Sequence, residues 1–212
     1  MRIGILGTGT LATALAVGWA RAGHDISIGG RSPERAEAAA KASGARARRL
    51  PEVVGDADAV LLAVRWEGIA DILTAAGAPG GSLAGRPLID PTNAVEHGIG
   101  VLRPEPGRAV AQHVAELAPG AQVVKAFHLF PSTEWTTPAS SPVTVAMCGD
   151  DPRALEIVGS LVRDVGGVPV RLGGLDRARQ LEEVAGFVIG LAFAGVDPQS
   201  AIPAVPSSPA SA

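Results

Sequence analysis

Cysteine is almost absent. Cys148 is the only one in 212 residues, which excludes an intrachain disulfide framework and any zinc site built on paired thiolates. A lone thiol fits a reducing compartment. Lysine is confined to Lys41 and Lys125, so basic charge is almost all arginine, and aromatic residues make up only 3% of the chain. With a net charge of −3 there is no general basic footprint for nucleic acid. No apolar run approaches the ~18 residues needed to span a bilayer. Gly7 and Gly9 break the first apolar segment almost at once, which is not the layout of a signal peptide. The expectation is a soluble, cytoplasmic protein with neither nucleic acid nor membrane as a partner.

What is present is rhythm: an apolar run, a glycine-rich turn and an alanine-rich amphipathic stretch, repeated several times. Strands are expected at Arg2 to Leu6, Asp25 to Ile28, Ala57 to Val64, Pro87 to Asp90, Gln122 to Phe127, Val143 to Cys148 and Val168 to Leu172. Helices are expected from Leu11 to Ala22, from Pro33 behind a Ser32 cap to Ser43, and over Trp66 to Ala76. More follow over Arg108 to Leu117, Asp151 to Val165 and Leu175 to Ala194. Strands alternating with helices predict an α/β fold: a Rossmann-like, doubly wound, mainly parallel sheet with a C-terminal βαβ-helix extension. Residues 1–195 read as one domain. The tail 196–212, with four prolines among alanines and serines, reads as a mobile or partner-dependent segment unable to hold a helix.

The strongest local signal is Gly7-Thr8-Gly9-Thr10-Leu11-Ala12, set between the first strand and the first helix. This is G-x-G-x-x-A, a variant of the dinucleotide fingerprint. Gly7 permits the tight turn, Gly9 lets backbone approach a pyrophosphate, and Ala12 keeps helix close to sheet. The helix N-terminus offers unpaired N–H groups to the phosphates. NAD sites usually carry a carboxylate at the end of the second strand, but here the chain reads Gly29-Gly30-Arg31-Ser32-Pro33-Glu34-Arg35. Arg31 can grip a 2′-phosphate in a forked, charge-assisted geometry, with Ser32 adding a hydroxyl and Arg35 one helical turn away. NADP(H) is favoured over NAD(H). The plainer reading is that Ser32 only caps a helix and the arginines are solvated.

These residues resemble the F420-dependent NADP oxidoreductases and their NADPH-dependent F420-reductase relatives. The resemblance runs from residue 1 to about 190. It is carried by the Gly7–Ala12 loop, Gly30-Arg31-Ser32, Val64-Arg65-Trp66-Glu67, Val123-Val124-Lys125-Ala126-Phe127-His128, Cys148-Gly149-Asp150-Asp151 and Arg179-Gln180-Leu181-Glu182. It implies reversible hydride transfer between NADP(H) and the deazaflavin coenzyme F420 stacked beside the nicotinamide. It further implies that Thr8, Gly9, Thr10 and Leu11 hold the pyrophosphate, that Arg31, Ser32 and Arg35 hold the 2′-phosphate, and that Val64 and Arg65 border the nicotinamide. Arg65 stands where a proline is common in the family, and the Leu129-Phe130-Pro131 loop also departs from it.

Hydride transfer between stacked rings asks little acid–base work of the protein, so proximity is the expected contribution. His128 follows a strand at the sheet edge where such folds bind ligands. It could donate to a substrate carbonyl or steady an anionic ring, or it could be a loop histidine tied to backbone. Asn93, in Pro91-Thr92-Asn93, could fix the nicotinamide carboxamide or the second substrate, although turn chemistry alone selects the same residue. Lys125 must reach an edge or an anion, because a buried ammonium is costly. Trp66 reads as core, and no metal site is expected. The apolar Ile189–Phe193 stretch suggests a homodimer surface. Alternative functions are an NADPH-dependent reductase of an imine, ketone or flavin, and a non-catalytic NADP-binding subunit.

Overall fold

The computed structural model describes residues 1–95, 108–136 and 142–203. Within them eight strands form one sheet: β1 (Arg2–Leu6), β2 (Asp25–Gly29), β3 (Arg46–Ala47), β4 (Ala59–Leu62), β5 (Pro87–Asp90), β6 (Gln122–Lys125), β7 (Thr144–Gly149) and β8 (Val168–Arg171). Their order across the sheet is β3-β2-β1-β4-β5-β6-β7-β8. The first six run parallel in the doubly wound Rossmann order, with the direction of winding reversing between β1 and β4. β7 is antiparallel to β6 and parallel to β8, so the C-terminal βαβ unit joins the sheet in reverse.

Among the described residues seven α-helices accompany the strands: α1 (Thr10–Arg21), α2 (Pro33–Ser43), α3 (Leu50–Gly55), α4 (Ile69–Ala75), α5 (Val110–Leu117), α6 (Pro152–Asp164) and α7 (Ala178–Phe193). The caps follow from chemistry. Ser32 and Asp151 each accept a backbone N–H three residues on, with proline at the first helical position. Gly44 ends α2 in the left-handed conformation. One core cluster packs α1 and α6 on one sheet face, with Trp19 fully buried and its indole donating to the Leu161 carbonyl at 2.9 Å. A second packs α3, α4, α5 and α7 on the other. Burial on both faces is why the strands read as continuous apolar runs.

Several expected boundaries shift. The Ala57–Val64 run contributes only Ala59–Leu62 to the ladder, its apolar flanks serving as core rather than strand. Trp66–Gly68 is a 3₁₀ turn leading into α4, Leu175–Arg177 is another leading into α7, and α5 begins at Val110 rather than Arg108. β3 and α3 were not expected at all. In the tail, Asp197 caps a single 3₁₀ turn at Pro198–Ala201, so that part is not featureless; residues 204–212 lie outside the described residues. Among the described residues no helix is long and apolar enough to cross a membrane.

Candidate active site

The loop from β1 to α1 lies at the carboxyl edge of the sheet. Gly7 has φ +132°, and its N–H donates to the Gly29 carbonyl at 2.8 Å. A side chain there would put Cβ 2.0 Å from the Ala63 carbonyl oxygen, so only glycine makes this turn. Gly9 differs: its backbone is extended, and a Cβ there would meet nothing within 4 Å. Open space in front of Gly9, with no side chain capping α1, leaves its first N–H groups facing outward for an anion. Ala12 is fully buried against the sheet. Thr8 packs against the β2 end, its methyl 2.8 Å from where a Gly30 Cβ would sit.

Beyond β2, the exposed Arg31 and Arg35 have no carboxylate partner among the described residues. Ser32 is occupied, accepting from the Arg35 N–H at 3.2 Å and donating to Glu34 at 2.6 Å. A cavity of about 600 Å³ opens beside Gly30 and Arg31 and is also lined by Arg48 and Arg49. Sequence reading missed this arginine pair because β3, which delivers it, is two residues long. Arg49 is spent on Glu52.

A second cavity at the carboxyl edge, about 260 Å³, is lined by Val64, Arg65, Trp66, Glu67, Pro91, Thr92, Asn93, Val95 and Ile189. The structure thus brings the expected Val64, Arg65 and Asn93 together. Trp66, expected in the core, is half-buried and borders this cavity. Ile189 enters from α7. A larger cavity, about 530 Å³, lies at the amino edge around Arg2, Asp58 and Arg86, away from the phosphate loop and from the edge where such sheets bind ligands.

His128 is not among the residues lining the 260 Å³ cavity. Its carbonyl accepts from Asn93 Nδ2 at 2.6 Å, and its own Nδ1 is buried without a partner. Burial, helped by the nearby Lys125 charge, pushes its pKa down to about 3, so the ring is neutral at physiological pH. Phe127, just before it, has φ +61°, the one positive φ outside glycine among the described residues. Edge-to-face contacts with Trp19 and Trp135 hold that strained backbone. The strain turns the chain out of β6 and presents the His128 carbonyl to Asn93.

Behind the loop is an ionic cluster that sequence reading found only in part. Lys125 Nζ lies 3.1 Å from Asp90 Oδ2 and 3.0 Å from Glu182 Oε1, with all three side chains wholly buried; it also donates to the Thr92 carbonyl. Glu182 accepts the first two N–H groups of α5, from Val110 and Ala111. The anion anticipated for Lys125 is therefore a pair of anions. Cys148, opposite Lys125 in the β6–β7 ladder, is buried, which raises its thiol pKa to about 12. Among the described residues no cluster of side chains could hold a metal.

The residues present fit a dinucleotide: a cradle that only glycine leaves open at Gly9, an uncapped helix N-terminus, and an orphaned buried acceptor at Asn93 Oδ1. Residues 2–94 match the family described as NADP oxidoreductase, coenzyme F420-dependent. This segment is similar to that family and makes up 93 of the 212 residues. The likeness to solved structures extends over the rest of the chain as well. An Arthrobacter sp. FB24 structure described as a candidate F420-dependent NADP reductase is 25% identical, with TM-score 0.80, over 92% of this chain and 96% of that one. A hypothetical protein from Sinorhizobium meliloti is 29% identical, with TM-score 0.74, over 84% and 87%. The metalloreductase STEAP3 of Rattus norvegicus is 30% identical over 186 residues. Those residues are 86% of this chain but 36% of that relative, so the chain spans about a third of its length.

Proposed function

We propose that residues 1–195 act as a single NADPH-binding reductase domain whose hydride acceptor is a deazaflavin of the F420 type, with the reaction running in either direction. Thr8, Gly9, Thr10 and Leu11 hold the pyrophosphate on the α1 N-terminus, and Gly7 shapes the turn. Arg31 and Arg35 take the 2′-phosphate, with Ser32 joining them by releasing Glu34. Val64, Arg65 and Asn93 receive the nicotinamide half, Asn93 Oδ1 accepting from its carboxamide. When bound, NADPH supplies the hydride. His128 serves the site through its carbonyl, which fixes the Asn93 amide.

The observation that carries the choice of acceptor is a shortage of acids among the described residues. Reducing a ketone or an imine places negative charge on oxygen or nitrogen, which a positioned proton donor must meet. The chain has no tyrosine, Lys125 is sealed in its ionic cluster, and His128 holds no extra proton. Among the described residues the 260 Å³ cavity offers a guanidinium, Arg65, and one exposed carboxyl, Glu67, as its titratable groups. A conjugated ring that delocalises the incoming electron pair needs no such donor. A free flavin satisfies the same argument and is the second reading. Mixing the protein with NADPH and F420 should bleach the deazaflavin absorbance. Unchanged F420 alongside NADPH oxidation by FMN selects the flavin, and turnover only with a cyclic imine or ketone refutes both.

A further inference from the structure

The 260 Å³ cavity has two parts of its wall fastened to one buried ammonium. Thr92 has all its polar groups committed: its N–H and hydroxyl donate to Asp90 Oδ1 at 2.9 and 2.5 Å, and its carbonyl accepts from Lys125. Pro91 and Asn93, on either side, line the cavity with it. Glu182, on the other side of Lys125, sits on α7 seven residues before Ile189, another lining residue. Seven residues is two helical turns, so the anchor and the lining residue share one face of the helix.

We propose that Lys125 is a positioning residue that sets the spacing between the Pro91–Asn93 loop and α7, and so the fit of the nicotinamide half of the cofactor; the inference rests on the cofactor reading above. Its three N–H protons meet three acceptors, on Asp90, Thr92 and Glu182, so all three are engaged within the cluster and none faces the cavity. Stability alone does not call for charge here, since well-packed apolar residues commonly serve a core as well as a buried ion cluster. What the cluster adds is direction: each carboxylate has one place to sit, and each brings a piece of the cavity wall with it. Asp90 and Lys125 are neighbours across the β5–β6 ladder, so two rigid strands set the span.

The test compares the parent with Lys125→Met and with the triple variant Asp90→Asn, Lys125→Met, Glu182→Gln. The triple variant leaves no unpaired buried charge, and its amides can still accept from Thr92 and from α5. Calorimetry measures affinity for NADPH and for 2′,5′-ADP, which carries the adenosine and both its phosphates but no nicotinamide. Fluorescence of bound NADPH reports the nicotinamide surroundings directly. In the folded variants 2′,5′-ADP should bind within about twofold of the parent, NADPH should weaken about tenfold or more, and the NADPH fluorescence change should collapse. NADPH affinity and fluorescence that stay as in the parent, or both ligands weakening in proportion, overturn the inference and leave the cofactor reading standing. A parent that binds neither ligand overturns the cofactor reading and the inference with it.

Discussion

Gly7 and Gly9 are two residues apart and should fail in opposite ways when given a methyl group. Gly9 already occupies an extended conformation open to any L-residue, φ −81° and ψ −178°, with no atom within 4 Å of its would-be Cβ. Gly9→Ala gives up the better of two N-cap residues but lowers unfolded-chain entropy by about 0.4–1 kcal/mol. The terms oppose, so unfolding in urea should move by no more than about 0.5 kcal/mol. Gly7→Ala puts a methyl carbon 2.0 Å from the Ala63 oxygen at φ +132°. Backbone strain of about 1–3 kcal/mol and overpacking of about 1–3 kcal/mol then give a loss of about 2–6 kcal/mol. Coenzyme binding should reverse the ranking of interest, because the Gly9 methyl stands in the space the pyrophosphate needs. Losing one charge-assisted hydrogen bond to the helix terminus costs about 1.5–3 kcal/mol, or about 10- to 150-fold in NADPH affinity by calorimetry. A fully stable Gly9→Ala protein that binds NADPH as tightly as the parent refutes the assignment of this loop to the phosphates.

Arg31→Ala should weaken NADPH about tenfold while leaving NADH unchanged; equal weakening of both would place Arg31 away from the 2′-phosphate. His128 is held neutral in the fold at a pKa of about 3, against an ordinary 6.5. The unfolded chain therefore gains a proton that the folded chain refuses, and stability, complete above pH 6.5, falls by about 1.4 kcal/mol per pH unit below it. Urea denaturation at pH 7 and pH 5 should show about 2 kcal/mol less pH dependence in His128→Leu than in the parent, and equal dependence refutes the desolvation argument. Cys148, buried with its thiol pKa raised to about 12, should resist thiol reagents until the protein unfolds; rapid native labelling would contradict this. Val184 and Phe187 on α7 are 41% and 52% exposed, and the homodimer expected from this helix predicts dimer mass in sedimentation, with monomer alone removing it.

The legible parts of the fold are those whose cause is local. β1, α1, β2 and α2 each carry their own start and stop signals: Gly7 and Gly23 at turns, Ser32-Pro33 at a cap, Gly44 at a helix end. β3 and α3 do not. β3 lies at the sheet edge with both residues exposed, so no burial pattern marks it, and α3 is a six-residue helix with proline near its start. Its buried Leu50, Val53 and Val54 form too short a pattern to separate from a loop. The antiparallel entry of β7 was equally silent, because β7 and β8 are parallel to each other and read like any other βαβ unit.

The site divides along the same line. The half proposed for the phosphates is built from two short runs, Gly7–Ala12 and Arg31–Arg35, whose types follow from local rules: a glycine where Cβ would strike Ala63, another proposed to leave room for an anion, and arginines proposed to take a 2′-phosphate. The other half is assembled from positions the chain keeps apart. Asp90 and Lys125 meet across 35 residues, and Val110 and Glu182 across 72. In the sequence each looks like an isolated charge in an apolar stretch. The one usable hint was energetic: a lysine inside a strand must find an anion, and an anion buried to meet it must find donors of its own. Followed one step further, that rule requires buried carboxylates with N–H or O–H donors of their own, which Asp90 finds in Thr92 and Glu182 in the first turn of α5. A buried charge thus implies a partner set more strictly than any motif, and here the partner set spans β5, β6, α5 and α7, with Thr92 beside it and Ile189 two turns along α7 lining the 260 Å³ cavity.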